Sequence, residues 1–322
     1  MSKSIYFGLI KSASATEISF LIFIVLAFTS ALLLIDPFGD FPLNDDWSFA
    51  RAVKTLITEG EFRPTDWTSM PLVTNVLWGA LFCLPTGFSF DALRLSTIVS
   101  SLLGVIGTFL IMREIRLSRP IALITALTLA FNPIYFSLSN TFMTDVPFTT
   151  LGIITALFLA RYLRTLSDID LLCGAFIAAV AILSRQLAIA IPLAFAIALL
   201  LRPGLNLHTG IRAFIPIILP LGFLLGFQEW VANVDRTPVL YYQQTVKLFD
   251  VITHPAKLLA VLPRNSYVAF VYLGWFLSPI LAIVGYNHFR NHKNIFVIIY
   301  LVVILFLLLE SLPPRFIMAI LH

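Results

Sequence analysis

"LLCGAFIAAVAILSRQLAIAIPLAFAIALLLRP" (Leu171–Pro203) is almost unbroken hydrocarbon with a single cation, Arg185, near its middle. As one long helix it would leave Arg185 in the bilayer, at a cost of roughly 2.5 kcal/mol or more. It would also carry Arg202 and Arg212 to the membrane side opposite the other basic loops. As a hairpin of two short helices, 169–184 and 187–201, it puts Ser184-Arg185-Gln186 at a water-facing turn and removes both penalties. The hairpin is therefore the expected structure, and it fixes the direction of every span around it.

The rest of the chain agrees. Of its 322 residues 59% are hydrophobic and 12% charged, with a mean hydropathy of +0.95. A soluble domain carries about 25% charged residues. Several apolar runs approach the ~20 residues that cross a bilayer. The expected fold is all-α and polytopic, with about nine transmembrane helices at 18–35, 91–112, 120–138, 147–163, 169–184, 187–201, 211–228, 266–286 and 295–312. A single transmembrane domain, 1–322, contains them, and there is no internal repeat or separate soluble domain. The first run is too long for a signal-peptide core and reads as a retained span. The net charge of +4 includes no basic cluster dense enough for nucleic acid. Cys83 and Cys173 both lie in apolar segments and match neither a disulfide framework nor a zinc site.

Lys and Arg set the orientation, because short cytoplasmic loops retain them. With the N-terminus (Lys3, Lys11) inside, Arg113, Arg116, Arg119, Arg161, Arg164, Arg202, Arg212, Arg290 and Lys293 are all inside as well. The first outer loop, about 36–90, instead carries Asp36, Asp40, Asp45, Asp46, Glu59, Glu61 and Asp66. It holds two expected interfacial helices. In "DWSFARAVKTLI" (Asp46–Ile57), Phe49, Ala50, Val53, Leu56 and Ile57 share one face, and Ser48, Arg51, Lys54 and Thr55 the other. "LVTNVLWGALFCL" (Leu72–Leu84) has 13 residues, about 20 Å of helix; as a span it would place Arg113, Arg116 and Arg119 outside. A second long outer segment covers about 229–265. Phe316–His322 is too short to span, so a fragment or a divergent short form is the expectation.

The residues able to do chemistry gather on the outer side. Asp45 and Asp46 are adjacent carboxylates before a helix; one Asp caps a helix N-terminus, but two neighbours do not point the same way. Asp145, in "SNTFMTDVPF" (Ser137–Phe148), precedes the helix-starting Pro147 and is either a cap or a partner of the first pair. Arg185 and Gln186 occupy the outer turn. A snorkelling cation and a fork for a lipid phosphate are both open readings of Arg185, and Arg315 in "LPPRF" (Leu312–Phe316) shares its side. Tyr241 and Tyr242 can stack on a sugar or anchor the chain at the interface.

In that order the motifs resemble the GT-C superfamily of polyprenyl-phosphate-sugar-dependent glycosyltransferases, and within it the family-39-like group of protein mannosyltransferases and aminoarabinose transferases. The resemblance rests on "NDDWSFARAV" (Asn44–Val53), "MPLVTNVLWGALFCL" (Met70–Leu84), "FDALRLSTIVSSLLGVIGTFLI" (Phe90–Ile111), the acidic turn at Asp145, the hairpin at Arg185 and "PPRFIMAI" (Pro313–Ile320). It covers about 18–201 and the last ten residues. The acidic pair is Asp-Asp where the family commonly has Asp-Glu, and Arg-Gln stands for the family's Lys-Gly. The family's later spans and C-terminal outer domain have no counterpart before His322. The resemblance implies inverting transfer of a hexosyl or pentosyl unit from a polyprenyl-phosphate sugar to an acceptor lipid, glycan or protein, outside a bacterial inner or plasma membrane. Asp45 would be the general base. Asp46 and Asp145 would orient the acceptor or bind a divalent cation, Mg²⁺ or Mn²⁺. Arg185 and Arg315 would hold the departing phosphate. A transporter or flippase of lipid-linked sugars, or an inactive GT-C-like subunit, are the alternatives; a transporter would place its ionisable groups at the bilayer midplane.

Overall fold

The computed structural model describes residues 15–202 and 207–288, and among them the chain is all helix and connection. Helix α1 (Ala15–Ile35) leads through an extended connector to α2 (Asp46–Glu59) and α3 (Val73–Cys83). Then come α4 (Phe90–Glu114), α5 (Arg119–Ala130), α6 (Pro133–Ser139), α7 (Asp145–Thr165) and α8 (Asp168–Ile182). A 3₁₀ turn, Gln186–Ile189, precedes α9 (Ala190–Leu200), and α10 (Leu207–Arg212) precedes α11 (Ile215–Asn233). The chain then forms α12 (Val239–Thr253) and α13 (Pro255–His288). Residues up to Gln244 make one compact unit, and a second begins at Thr245. In the second, Lys257 pairs with Asp250 at 2.6 Å.

Among the described residues four helices are long and apolar enough to cross a membrane: Ala15–Ile35, Phe90–Glu114, Asp145–Thr165 and Thr209–Asn233. The expected span 120–138 is broken. Asn132 accepts from the N–H groups of Ile134 and Tyr135, Pro133 opens α6, and α5 and α6 meet at 62°. Pro133 cannot continue the α5 ladder, and the Asn132 carbonyl group caps the new helix. Counting that pair, the number of candidate spans is five, short of the nine expected; 295–312 lies outside the described residues, and 266–286 falls within α13. The segment 229–265 is helical over most of its length.

The hairpin at Arg185 is present. Helix α8 stops at Ile182 and Arg185 is extended (φ −147°, ψ 134°). Arg202, after α9, donates to Leu163 O in the last turn of α7 at 3.1 Å, and Arg212 pairs at 2.9 Å with Asp168, the first residue of α8. The start of α8 and the end of α9 therefore lie at one end of the bundle. The same end collects Arg113 and Arg119 on Glu17 (2.9 and 3.4 Å), Arg164 on Glu114 (2.7 Å) and Arg161 on Asp170 (3.5 Å).

The opposite end rests on α2 and α3. Phe49, Ala50 and Val53 of α2 are buried with Val76 and Ala80 of α3, while Arg51 and Lys54 are exposed, as read from the sequence; Ser48, expected on the polar face, is instead buried, its hydroxyl paired with that of Thr65. Helix α3 buries one face and exposes Leu77 and Leu81 on the other, as an 11-residue helix lying between protein and lipid does. The central packing is α4 against α7. A Cβ on Gly104 of α4 would stand 2.4 Å from Tyr135 Oη and 2.5 Å from Thr150 Oγ1 of α7, so only glycine permits this approach.

Candidate functional site

At the end away from the basic loops lies a cavity of about 350 Å³. Asp45, Ser48, Trp67, Ser69, Asp145 and Arg185 are among the residues that line it. Five stretches thus meet there: the start of α2, the loop before α3, the start of α7, the α8–α9 turn and the start of α12.

Asp45 sits at the cap position of α2 (φ −78°, ψ 1°), yet its side chain makes no capping hydrogen bond. Its backbone carbonyl accepts Ser48 N–H at 3.1 Å, and its carboxylate is exposed on the cavity wall. The capping reading of Asp45 therefore finds no bond to support it.

Asp46 points the other way. It is fully buried and does not line the cavity. Oδ1 accepts Leu43 N–H at 2.7 Å and Oδ2 accepts Phe142 N–H at 3.3 Å. Burial pushes its pKa above the ordinary carboxylate value, against the opposing pull of those two N–H groups and of the Arg94 cation. Asp46 ties α2 to the turn before α7, three residues from Asp145.

Asp145 opens α7, one residue after the cap Thr144. Its Oδ1 accepts a hydrogen bond from Arg185 Nη1. The Arg185 guanidinium also lies 5.9 Å from the centre of the Phe148 ring. Both members of the pair stay partly exposed toward the cavity, so the cation is held in place without being sealed from an incoming anion.

Gln186 approaches Ser69 O at 3.5 Å and hydrogen-bonds the Tyr241 hydroxyl, which also accepts from Gln228 Nε2 at 2.9 Å. Burial raises the Tyr241 phenol pKa and these amides draw it back. Tyr241 is buried and off the cavity wall, whereas its neighbour Leu240 is on it; Tyr242 is exposed and does not line it. Leu240 and Val239 are tied to Asp66 at 3.0 and 3.3 Å, so the loop after α2 and the start of α12 close one side of the cavity together. Arg315 lies outside the described residues.

The sequence did not single out Trp47 and Trp67, which stand on the cavity wall, or Arg94, which is fully buried. The tryptophans carry no spacing signal, although two indoles flanking an acidic stretch at a membrane edge are a compositional hint. Arg94 stood in the "ALRL" match, but its guanidinium donates to backbone carbonyls of the first outer loop, which no charge pattern singles out. Among the described residues no three His, Cys, Asp or Glu side chains come together as a metal set. Asp46 is committed to two backbone N–H groups and Asp145 to Arg185, so this donor set does not match a Mg²⁺ or Mn²⁺ cage.

The wall thus offers one outward carboxylate able to take a proton and one oriented guanidinium able to hold an anion, within one small cavity. A family model described as dolichyl-phosphate-mannose-protein mannosyltransferase matches residues 69–231. No curated protein matches the chain.

Proposed function

The chain belongs to the dolichyl-phosphate-mannose-protein mannosyltransferase family, and from that premise we propose that it transfers a sugar from a polyprenyl-phosphate donor to an acceptor hydroxyl, with inversion, on the extracytoplasmic face. Membership makes it a membrane glycosyltransferase of the GT-C type; donor, side and residue roles are our reading. The observation that carries it is the shared cavity of Asp45, Asp145 and Arg185.

In this mechanism the Asp45 carboxylate takes the acceptor hydroxyl proton. The freed oxygen attacks the anomeric carbon from the face opposite the phosphate. The bond between that carbon and the phosphate oxygen breaks, and its electron pair leaves on the lipid phosphate. Arg185 meets the growing phosphate charge with two N–H groups, and Asp145 holds the guanidinium in orientation. Asp46 positions α2 and takes no proton. No step passes through a metal ion. With the basic end in the cytoplasm, by the distribution of Arg and Lys, the cavity faces outward. The polar groups lie at one end of the helices, which favours surface chemistry over transport through the midplane.

The test uses the purified full chain in lipid nanodiscs with polyprenyl-phosphate mannose and a panel of hydroxyl acceptors. Wild type should release polyprenyl phosphate, and Asp45→Asn should do so about 10²–10⁴ times more slowly. Equal rates remove Asp45 as the base. Donor translocation in vesicles without bond cleavage would replace transfer by transport.

A further inference from the structure

We propose that Arg94 is a positioning residue: it clamps the connector between α1 and α2 onto α4 and thereby fixes the Asp45 carboxylate against Asp145 and Arg185. The inference rests on the glycosyl-transfer reading for its consequence in turnover, and on geometry alone for the clamp.

The connector, residues 36–45, has no helix of its own to hold it. Four of its backbone groups, Gly39 N–H and the carbonyls of Pro37, Gly39 and Phe41, are held by side chains of α4. Arg94, in the second turn of α4, is fully buried. Its Nη1 donates to Pro37 O at 3.3 Å and to Gly39 O, and its Nη2 donates to Phe41 O. Its guanidinium carbon lies 4.7 Å from the centre of the Phe41 ring. The bonds also run in the other direction. Asp91 accepts Gly39 N–H, and Asp40 accepts Phe90 N–H at 2.8 Å. Asp91 also approaches Arg94 at 3.8 Å.

Asp45 follows Phe41 by four residues and precedes Asp46, the second anchor, which is tied through Phe142 N–H to the turn leading into α7. The base is thus held between a clamp on α4 and a clamp before α7. Helices α4 and α7 are themselves locked at Gly104 and Thr150, and α7 carries Asp145 with its partner Arg185. The opposing groups of the cavity therefore refer to one rigid helix pair. A lysine at 94 would keep the charge but, as a point donor, would not reproduce a planar fork that reaches three carbonyls.

Three variants of the full chain test this: Arg94→Gln, Arg94→Lys and Gly39→Ala. The last leaves Arg94 in place, but its Cβ would stand 2.3 Å from the Phe41 ring and push the ring off the guanidinium. Hydrogen exchange reads the clamp, and release of polyprenyl phosphate from polyprenyl-phosphate mannose reads its consequence. Arg94→Gln should lose amide protection at 39–43 with α7 unchanged, and kcat should fall about a hundredfold with the donor KM nearly constant. Arg94→Lys and Gly39→Ala should fall between it and wild type, and they carry the test if Arg94→Gln does not fold. Unchanged protection, or loosened amides with wild-type kcat, overturns the proposal. A wild type with no turnover refutes the transfer reading instead, and the exchange data then decide the clamp by themselves.

Discussion

The two ends of the helix bundle use charge in opposite ways. At the basic end, arginines pair with carboxylates across neighbouring helix termini: Arg113 and Arg119 with Glu17, Arg164 with Glu114, Arg212 with Asp168. Most of these side chains are partly exposed, where such pairs contribute about 0.2–1 kcal/mol each. At the cavity end, Arg94 and Asp46 are fully buried and are spent on backbone groups of connectors, while Asp45 and the Asp145–Arg185 pair face a cavity. In the proposed mechanism, charge at the first end sets which way the helices run and charge at the second places reactive groups. Substitutions should therefore separate cleanly: the cavity end governs turnover, and the basic end governs topology and little else.

The largest departure from that contrast would come from Arg185. Arg185→Gln should lower kcat about 10²–10³-fold, the range seen when a donor to a developing negative charge is removed. Asp145→Asn should fall in the same direction, and the double variant should show strong non-additivity in a double-mutant cycle. Additive losses would mean that the pair does not act as a unit.

Gly104→Ala comes next. A methyl group inserted between α4, Tyr135 and α7 should destabilise by about 1–3 kcal/mol. Thermal unfolding checks it, and a neutral outcome would mean that α4 and α7 do not hold the two ends together.

Asp46 supplies a smaller, pH-dependent effect. Its folded pKa lies above the ordinary value of 3.8 because burial penalises the charged form. The fold therefore binds this proton more tightly than the unfolded chain does. The associated stability is complete below pH 3.8 and is lost as pH rises through the raised folded value. Measured from pH 4 upward, the Tm of wild type relative to Asp46→Asn should fall as pH rises; a flat difference would contradict a buried carboxyl.

The smallest effect belongs to the basic end. Arg164→Gln should cost no more than about 1 kcal/mol and leave kcat unchanged. A large loss of turnover there would erase the division between the two ends.

Much of this division is legible in the sequence. The lone Arg185 in a long apolar run forces a turn, and the structure breaks α8 there. The amphipathic pattern of α2 identified the buried Phe49, Ala50 and Val53 because one side of the helix is spaced at 3.6 residues, but it misplaced Ser48, whose hydroxyl is buried against Thr65. The bend at Asn132-Pro133 was not read from the sequence: proline cannot continue a helix, but the apolarity across 120–138 concealed the break. The separate tasks of Asp45 and Asp46 were not legible. Adjacent residues at a helix start point apart, and only the approach of Phe142, 96 residues away, shows which carboxylate is enclosed. Arg94 was hidden for the same reason: its three acceptors are carbonyls, which any residue supplies, so no side-chain pattern marks the contact.

The central claim is that the Asp45–Asp145–Arg185 cavity, and not the arginine-rich end, receives the lipid phosphate. A cryo-EM structure of the full chain in nanodiscs with bound polyprenyl phosphate tests it most directly. Phosphate density is expected against Arg185, on the cavity side of its pair with Asp145. Phosphate density among Arg113, Arg119, Arg164 and Arg212, with the cavity unfilled, would contradict it.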